Sequence, residues 1–190
     1  MKKLIMLVCL LGLLAFGATA IAETKTFKPK KAMKYATNVN WKQHTFVDDF
    51  RDPTKDEYIR YEAEGLFFNS ATANTICYVH ILVDYKNKVA IFIREYNRRQ
   101  PYVWFIRDNS YILMKNSKGQ KFRCDVISIW NNKGGLHIKC QIPFINFLKK
   151  SVGFVKVMIY DGNDAVYEFK INADGFTTAY NGIRPAKKGE

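Results

Sequence analysis

Two apolar runs, Ile76 to Val83 and Val89 to Arg94, flank the polar stretch Asp84-Tyr85-Lys86-Asn87-Lys88. Each run has the length of a strand and is too short for most independent helices. In the first, Cys77, Val79, Ile81 and Val83 share one face, while Tyr78, His80 and Leu82 share the other. In the second, Val89, Ile91 and Ile93 oppose Ala90, Phe92 and Arg94. Both faces are largely apolar, so this hairpin is expected at the centre of an antiparallel sheet, covered on both sides along much of its length.

The same kind of segment recurs on either side. Strands are expected over His44 to Phe50, Glu57 to Glu62, Gly65 to Asn69, Tyr102 to Ile106, Tyr111 to Lys115, Gln120 to Trp130 and Leu136 to Gln141. Phe154 to Tyr160 and Val166 to Ile171 follow, and Phe176 to Tyr180 can add an edge. Turn formers punctuate them at Asp52-Pro53-Thr54, Asn116-Ser117-Lys118-Gly119, Asn131 to Gly135 and Asp161 to Asp164. One helix stands apart. Pro143 suits a first turn, Phe144, Phe147 and Leu148 fall at helical spacing, and Lys149 and Lys150 suit a C-terminus, so it should cap an end of the sheets. About ten strands with one short helix predict an all-β fold, either an antiparallel β-sandwich or a flattened barrel.

Charge and hydropathy set the boundaries of that domain. Lys2 and Lys3 precede the apolar run Leu4 to Phe16, and Ala18-Thr19-Ala20 and Ala20-Ile21-Ala22 both fit a small-residue cleavage pattern. Residues 1–22 therefore read as a secretory signal peptide cleaved after Ala22, which predicts a periplasmic or secreted protein. Cys9 lies inside the apolar run and does not follow it directly, which argues against lipidation. No later apolar stretch is long enough to span a bilayer as a helix. Residues 23–40, with Lys25, Lys28, Lys30, Lys31 and Lys34, read as a flexible basic leader, residues 41–183 as a single domain, and residues 184–190 as a basic tail. Of the formal net charge of +13, the leader carries +4 and the tail +2, a higher density than the +5 spread over the domain. Such ends favour anionic surfaces, and they equally serve solubility.

An exported chain meets an oxidising compartment, so Cys77, Cys124 and Cys140 predict one disulfide and one spare thiol. Register decides which. A three-residue loop at Asn131-Asn132-Lys133 sets Cys124 opposite Cys140, with Cα atoms about 4.5 Å apart and bridgeable. A two-residue loop at Asn132-Lys133 instead sets Gln141 opposite Cys124 and turns Cys140 to the other face. Both remain open, with Cys124 and Cys140 as the candidate pair. No Cys-x-x-Cys or cysteine–histidine spacing is present, which argues against a structural zinc site, and no cofactor motif is found.

Asp48, Asp49, Asp52, Asp56 and Glu57 form the densest acidic cluster, but their order lacks the spacing of a calcium loop. Turn and capping roles account for Asp52. Glu62, Glu64 and Glu95 offer carboxylates for glycoside hydrolysis, yet nothing pairs two of them across one bond. His44, His80 and His137 are the only histidines, and no Gly-x-Ser-x-Gly element accompanies them. The cysteines fall within strands, away from the helix N-termini or basic neighbours that activate thiols. The richest binding candidate is Arg94 to Trp104, where Arg94, Arg98 and Arg99 alternate with Tyr96, Tyr102 and Trp104. Guanidinium groups recognise carboxylate, sulfate or phosphate, aromatic faces stack on sugars, and sandwich domains carry recognition in such loops. The plainer reading is strand aromatics with arginines covering their edges.

Asp49-Phe50-Arg51-Asp52-Pro53-Thr54, Gly65-Leu66-Phe67-Phe68-Asn69-Ser70-Ala71-Thr72, Arg94-Glu95-Tyr96 and Asp174-Gly175-Phe176 with Ala179-Tyr180 together resemble a group of uncharacterised small exported bacterial β-domain proteins. The resemblance covers most of residues 41–180 and implies an exported β-domain, with no assigned activity and no catalytic residues. The expected function is a non-catalytic binding module for an anionic glycan, envelope surface or protein partner. The alternative is a hydrolase with an unrecognised site. An exported location and the lack of an RNA-binding motif argue against nucleic acid.

Overall fold

The computed structural model describes residues 40–69, 71–72, 75–95, 109–130, 135–162 and 165–183, all within one compact unit, Met33–Glu190. The signal peptide, nearly all of the leader, the basic tail and the strand expected over Tyr102 to Ile106 lie outside the described residues. The strands are β1 (Lys42–Val47), β2 (Pro53–Phe68), β3 (Thr75–Asp84), β4 (Val89–Arg94), β5 (Tyr111–Lys115), β6 (Lys121–Trp130), β7 (Gly135–Ile138), β8 (Phe154–Tyr160) and β9 (Val166–Asn172). Two helices join them, α1 (Gln141–Lys150) and α2 (Phe176–Gly182).

All pairings are antiparallel. The sheet runs β1-β2-β3-β4-β7-β6-β5-β8-β9, and β9 returns to pair with β2. The fold is therefore all-β, as expected, and of the two expected forms it is the closed one. Eight strands, β2 to β9, form a barrel, and β1 lies along the first half of β2 outside the closure. A sandwich is excluded by the seam that sets Gly65, Leu66, Phe67 and Phe68 opposite Phe169, Glu168, Tyr167 and Val166. Gly65 makes the seam possible: a Cβ there would stand 2.6 Å from the Glu168 carbonyl oxygen and 2.9 Å from Phe169 Cβ.

Alternation decides which side chains enter. Ile59, Tyr61 and Phe67 of β2, Cys77, Val79, Ile81 and Val83 of β3, and Val89, Ile91 and Ile93 of β4 are all buried. Ile112, Met114, Cys124, Leu136, Ile138, Val155, Val157, Ile159, Tyr167, Phe169 and Ile171 continue this face round the other strands. An eight-stranded barrel has an interior just wide enough for side chains to fill, and here they are apolar. The outer wall carries charge at mid-strand, including Arg60, Glu62, Arg123, Lys156 and Glu168. A membrane barrel has the reverse polarity.

The central hairpin forms as expected, with its inner face fully buried. On the outer face Ala90 is buried, while Tyr78, His80, Leu82 and Phe92 are only partly so, because a barrel wall has no second layer over it. Glu57–Glu62 and Gly65–Asn69 are not separate strands. They merge into the sixteen-residue β2, which must reach from β1 to the seam. The first strand stops at Val47, and the turn is Asp48–Asp52, not Asp52–Thr54. Phe176–Tyr180 is helical, not an edge strand. Gly175 turns the chain at φ +78°, and Phe176 then packs edge-on to Trp41 with ring centroids 4.8 Å apart.

Topology gives the barrel two distinct ends. The β1–β2, β3–β4 and β5–β6 turns share one end with α1 and α2, which is called the capped end here. β4 finishes and β5 begins at the opposite end, the mouth, with β7 and β6 between them in the sheet. At the capped end α1 buries Phe144, Ile145 and Leu148, so the expected helix exists and caps the barrel.

Candidate functional site at the barrel mouth

The end of β4 delivers two charged residues to opposite sides of the wall. Arg94 follows Phe92 on the outer face and pairs with Tyr78, where it is half-buried. Glu95 follows Ile91 and Ile93 on the inner face, so the same register brings it beside Cys77. Its Oε1 accepts a hydrogen bond of 2.6 Å from the hydroxyl of Tyr167, a residue whose side chain is buried at the seam. Burial first, and then the bond to Glu95, raise the Tyr167 pKa, so this tyrosine is a neutral donor.

Ser110 completes the inner rim. It is buried, its Oγ accepts from the Gly162 amide at 3.2 Å, and its carbonyl accepts from the Val126 amide at 3.0 Å. Below this polar rim the interior is apolar. Cys77 is fully buried there, and its thiol is pushed up to about 12, chiefly by burial and then by the Glu95 charge. A thiol held protonated in this way is a poor nucleophile.

Of the six residues expected to bind, only Arg94 is among the described residues. Tyr96, Arg98, Arg99, Tyr102 and Trp104 lie outside them. The two strand ends that their segment connects, those of β4 and β5, both open onto the mouth. The Glu95–Tyr167 pair escaped the sequence reading, which treated Glu95 only as a loose carboxylate. Parity offered a signal, since Glu95 continues the inward series Val89, Ile91 and Ile93.

The other candidates fall into ordinary roles. Asp48 Oδ1 accepts from the amides of Phe50 and Asp52, each at 2.9 Å, so this cluster builds a turn. Among the described residues, no three His, Cys, Asp or Glu side chains group as metal ligands. His44 stacks on Tyr58 with ring centroids 5.3 Å apart. His80 Nδ1 accepts from Arg60 at 2.8 Å, and Arg60 also pairs with Glu62 at 2.6 Å on the outer wall. Glu62 and Glu64 therefore face outward while Glu95 faces inward, and the three do not flank one cleft. Cys124 and Cys140 lie side by side as thiols, with the Cys140 amide donating to Cys124 Sγ at 2.9 Å. No protein-family model, curated protein or solved structure matches this chain.

Proposed function

We propose that the protein is an exported, non-catalytic binding module whose recognition surface is the rim of the barrel mouth, and that it attaches to carboxylate, sulfate or phosphate groups of an anionic glycan, envelope component or protein. The observation that carries this reading is the filled barrel. Apolar side chains occupy the interior up to the Glu95–Tyr167 pair, so a partner has to be met at the rim or on the wall. Arg94 stands at that rim, where the arginine- and aromatic-rich stretch leaves β4. The basic charge of the chain would strengthen encounter with an anionic surface and make attachment salt-dependent. Signal-directed export and kinship with small exported β-domain proteins belong to the same reading.

Binding of the whole chain to an immobilised sulfated polysaccharide tests it. Replacing Arg98 and Arg99 by Ala should weaken retention several-fold, with stability changed by no more than about 0.5 kcal/mol, the range for substitutions that break no packing, cap or buried pair. Unchanged retention overturns the rim as the binding surface. A collapse in stability assigns the arginines to the fold instead.

A further inference from the structure

We infer that Cys124 and Cys140 form a dithiol that oxidises to a single intramolecular disulfide, pinning the start of α1 to β6, with Cys140 as the thiol that attacks the oxidant and Cys124 as the thiol that resolves. Register supports the pairing by joining the two alternatives considered from the sequence, the two-residue-loop register near Trp130 and the three-residue-loop register near Cys124. Trp130 pairs with Gly135, which alone would slide Cys124 out of line. A bulge between Val126 and Ser128 then absorbs one residue on β6, so that Val126 pairs with Ile138. The Lys139 amide donates to the Asp125 carbonyl at 2.9 Å in the same register, and the next step sets Cys140 against Cys124. The 2.9 Å contact from the Cys140 amide to Cys124 Sγ shows the sulfur already at the partner backbone.

Exposure separates the two roles. Cys124 is 2% exposed within the barrel, whereas Cys140 is half-exposed at the N-cap of α1. Burial, followed by the neighbouring Cys140 thiol, raises the Cys124 pKa, which suits a group that reacts second. Cys77 takes no part: it is fully buried beside Glu95 at the mouth, while the pair sits at the capped end.

The chemistry is thiol–disulfide exchange with an external disulfide. The Cys140 thiolate attacks one sulfur of the oxidant, forming a mixed disulfide and releasing one thiol. Cys124 then loses its proton and attacks Cys140 Sγ, expelling the second thiol. Two S–H bonds become one S–S bond, and two electrons pass to the oxidant. The product ties the barrel wall to the helix that caps it, across a short loop.

The whole chain is equilibrated with glutathione disulfide, its free thiols are alkylated, and non-reducing peptides are mapped by mass. The expected product is one Cys124–Cys140 linkage with Cys77 alkylated only after denaturation, and a thermal midpoint that falls on reduction by on the order of 5–10 °C. Cys124→Ala should retain a glutathione adduct at Cys140, whereas Cys140→Ser should leave Cys124 unmodified. Cys77, Cys124 and Cys140 all still free in the unsubstituted chain, a Cys77 linkage, or a stable adduct at Cys140 with Cys124 still free overturns the inference. An adduct at Cys124 in the Cys140→Ser protein overturns the assigned order.

Discussion

At the capped end, elements distant in the chain are tied by side chains reaching to neighbouring tips. At the mouth, the ties among described residues are inward-facing polar groups. The capped end repeats one turn three times. Asp48, Asp84 and Asn116 each open a turn in which their Oδ1 accepts the amides two and four residues on. The residue three places on has positive φ in every case: Arg51 at 70°, Asn87 at 65° and Gly119 at 79°. The tips are then fastened. Tyr180 of α2 donates to Asn87, Asn116 donates to Ser151 at 3.5 Å, and Ser117 donates to the Val152 carbonyl at 3.0 Å. Trp41 Nε1 reaches the Asn172 carbonyl at 2.9 Å. At the mouth Tyr167 is tied to Glu95 and Gly162 to Ser110, while Asn69 Oδ1 turns the chain by accepting the Ala71 and Thr72 amides. The two ends are thus built differently: the capped end is closed by helices and bridged turn tips, and the mouth holds a buried polar pair.

That division predicts unequal responses. Phe144→Ala removes a fully buried ring from α1 and should cost about 3–5 kcal/mol in denaturant unfolding. A loss below about 1 kcal/mol would mean that the helix does not seal the core. Tyr167→Phe removes one hydroxyl and leaves the Glu95 carboxylate without its buried donor, for an expected loss of about 1–3 kcal/mol. If Tyr167→Phe costs as much as Phe144→Ala, the mouth is a structural keystone and the contrast between the ends fails.

The smallest effect belongs to the wall. His137 on β7 has its pKa lowered from 6.5, first by burial and then by the Lys88 charge. The unfolded chain therefore takes up this proton at higher pH than the folded one does. Stability from this group is complete above the unfolded value, 6.5, and is lost as pH falls below it. Thermal midpoints from about pH 8 to about pH 5 should consequently fall less in His137→Gln than in the unsubstituted chain. Equal slopes would remove His137 from the acid response.

Much of this architecture was legible because it is local. The β8–β9 hairpin, β3 with β4, and the Pro143 helix each follow from a periodic run between turn formers. The choice between sandwich and closed barrel was not legible. It depends on pairing Gly65 with Phe169, and no local pattern joins two such distant residues. Phe176, Ala179 and Tyr180 fit helix spacing as well as an edge strand, and the left-handed Gly175 decides for the helix. The two registers left open at Cys124 both occur, one at Trp130–Gly135 and the other beyond the bulge at Val126–Ile138, and sequence alternation does not reveal that bulge. The rim pair failed for another reason: Glu95 was read by charge alone, and its parity was passed over.

The shared edge of β2 bears on how copies of this protein behave when crowded together. Its first half, up to Arg60, pairs with β1, and its last four residues, Gly65 to Phe68, pair with β9, so most of β2 is covered along that side. Among the described residues, β1 alone has a single sheet neighbour. An unpaired strand edge templates addition of another chain, and short, irregular or lysine-bearing edges resist it. β1 has six residues, begins at the exposed Lys42, and shifts register between Thr45 and Val47. Among the described strands, the edge open to strand-by-strand addition is thereby kept short and out of step.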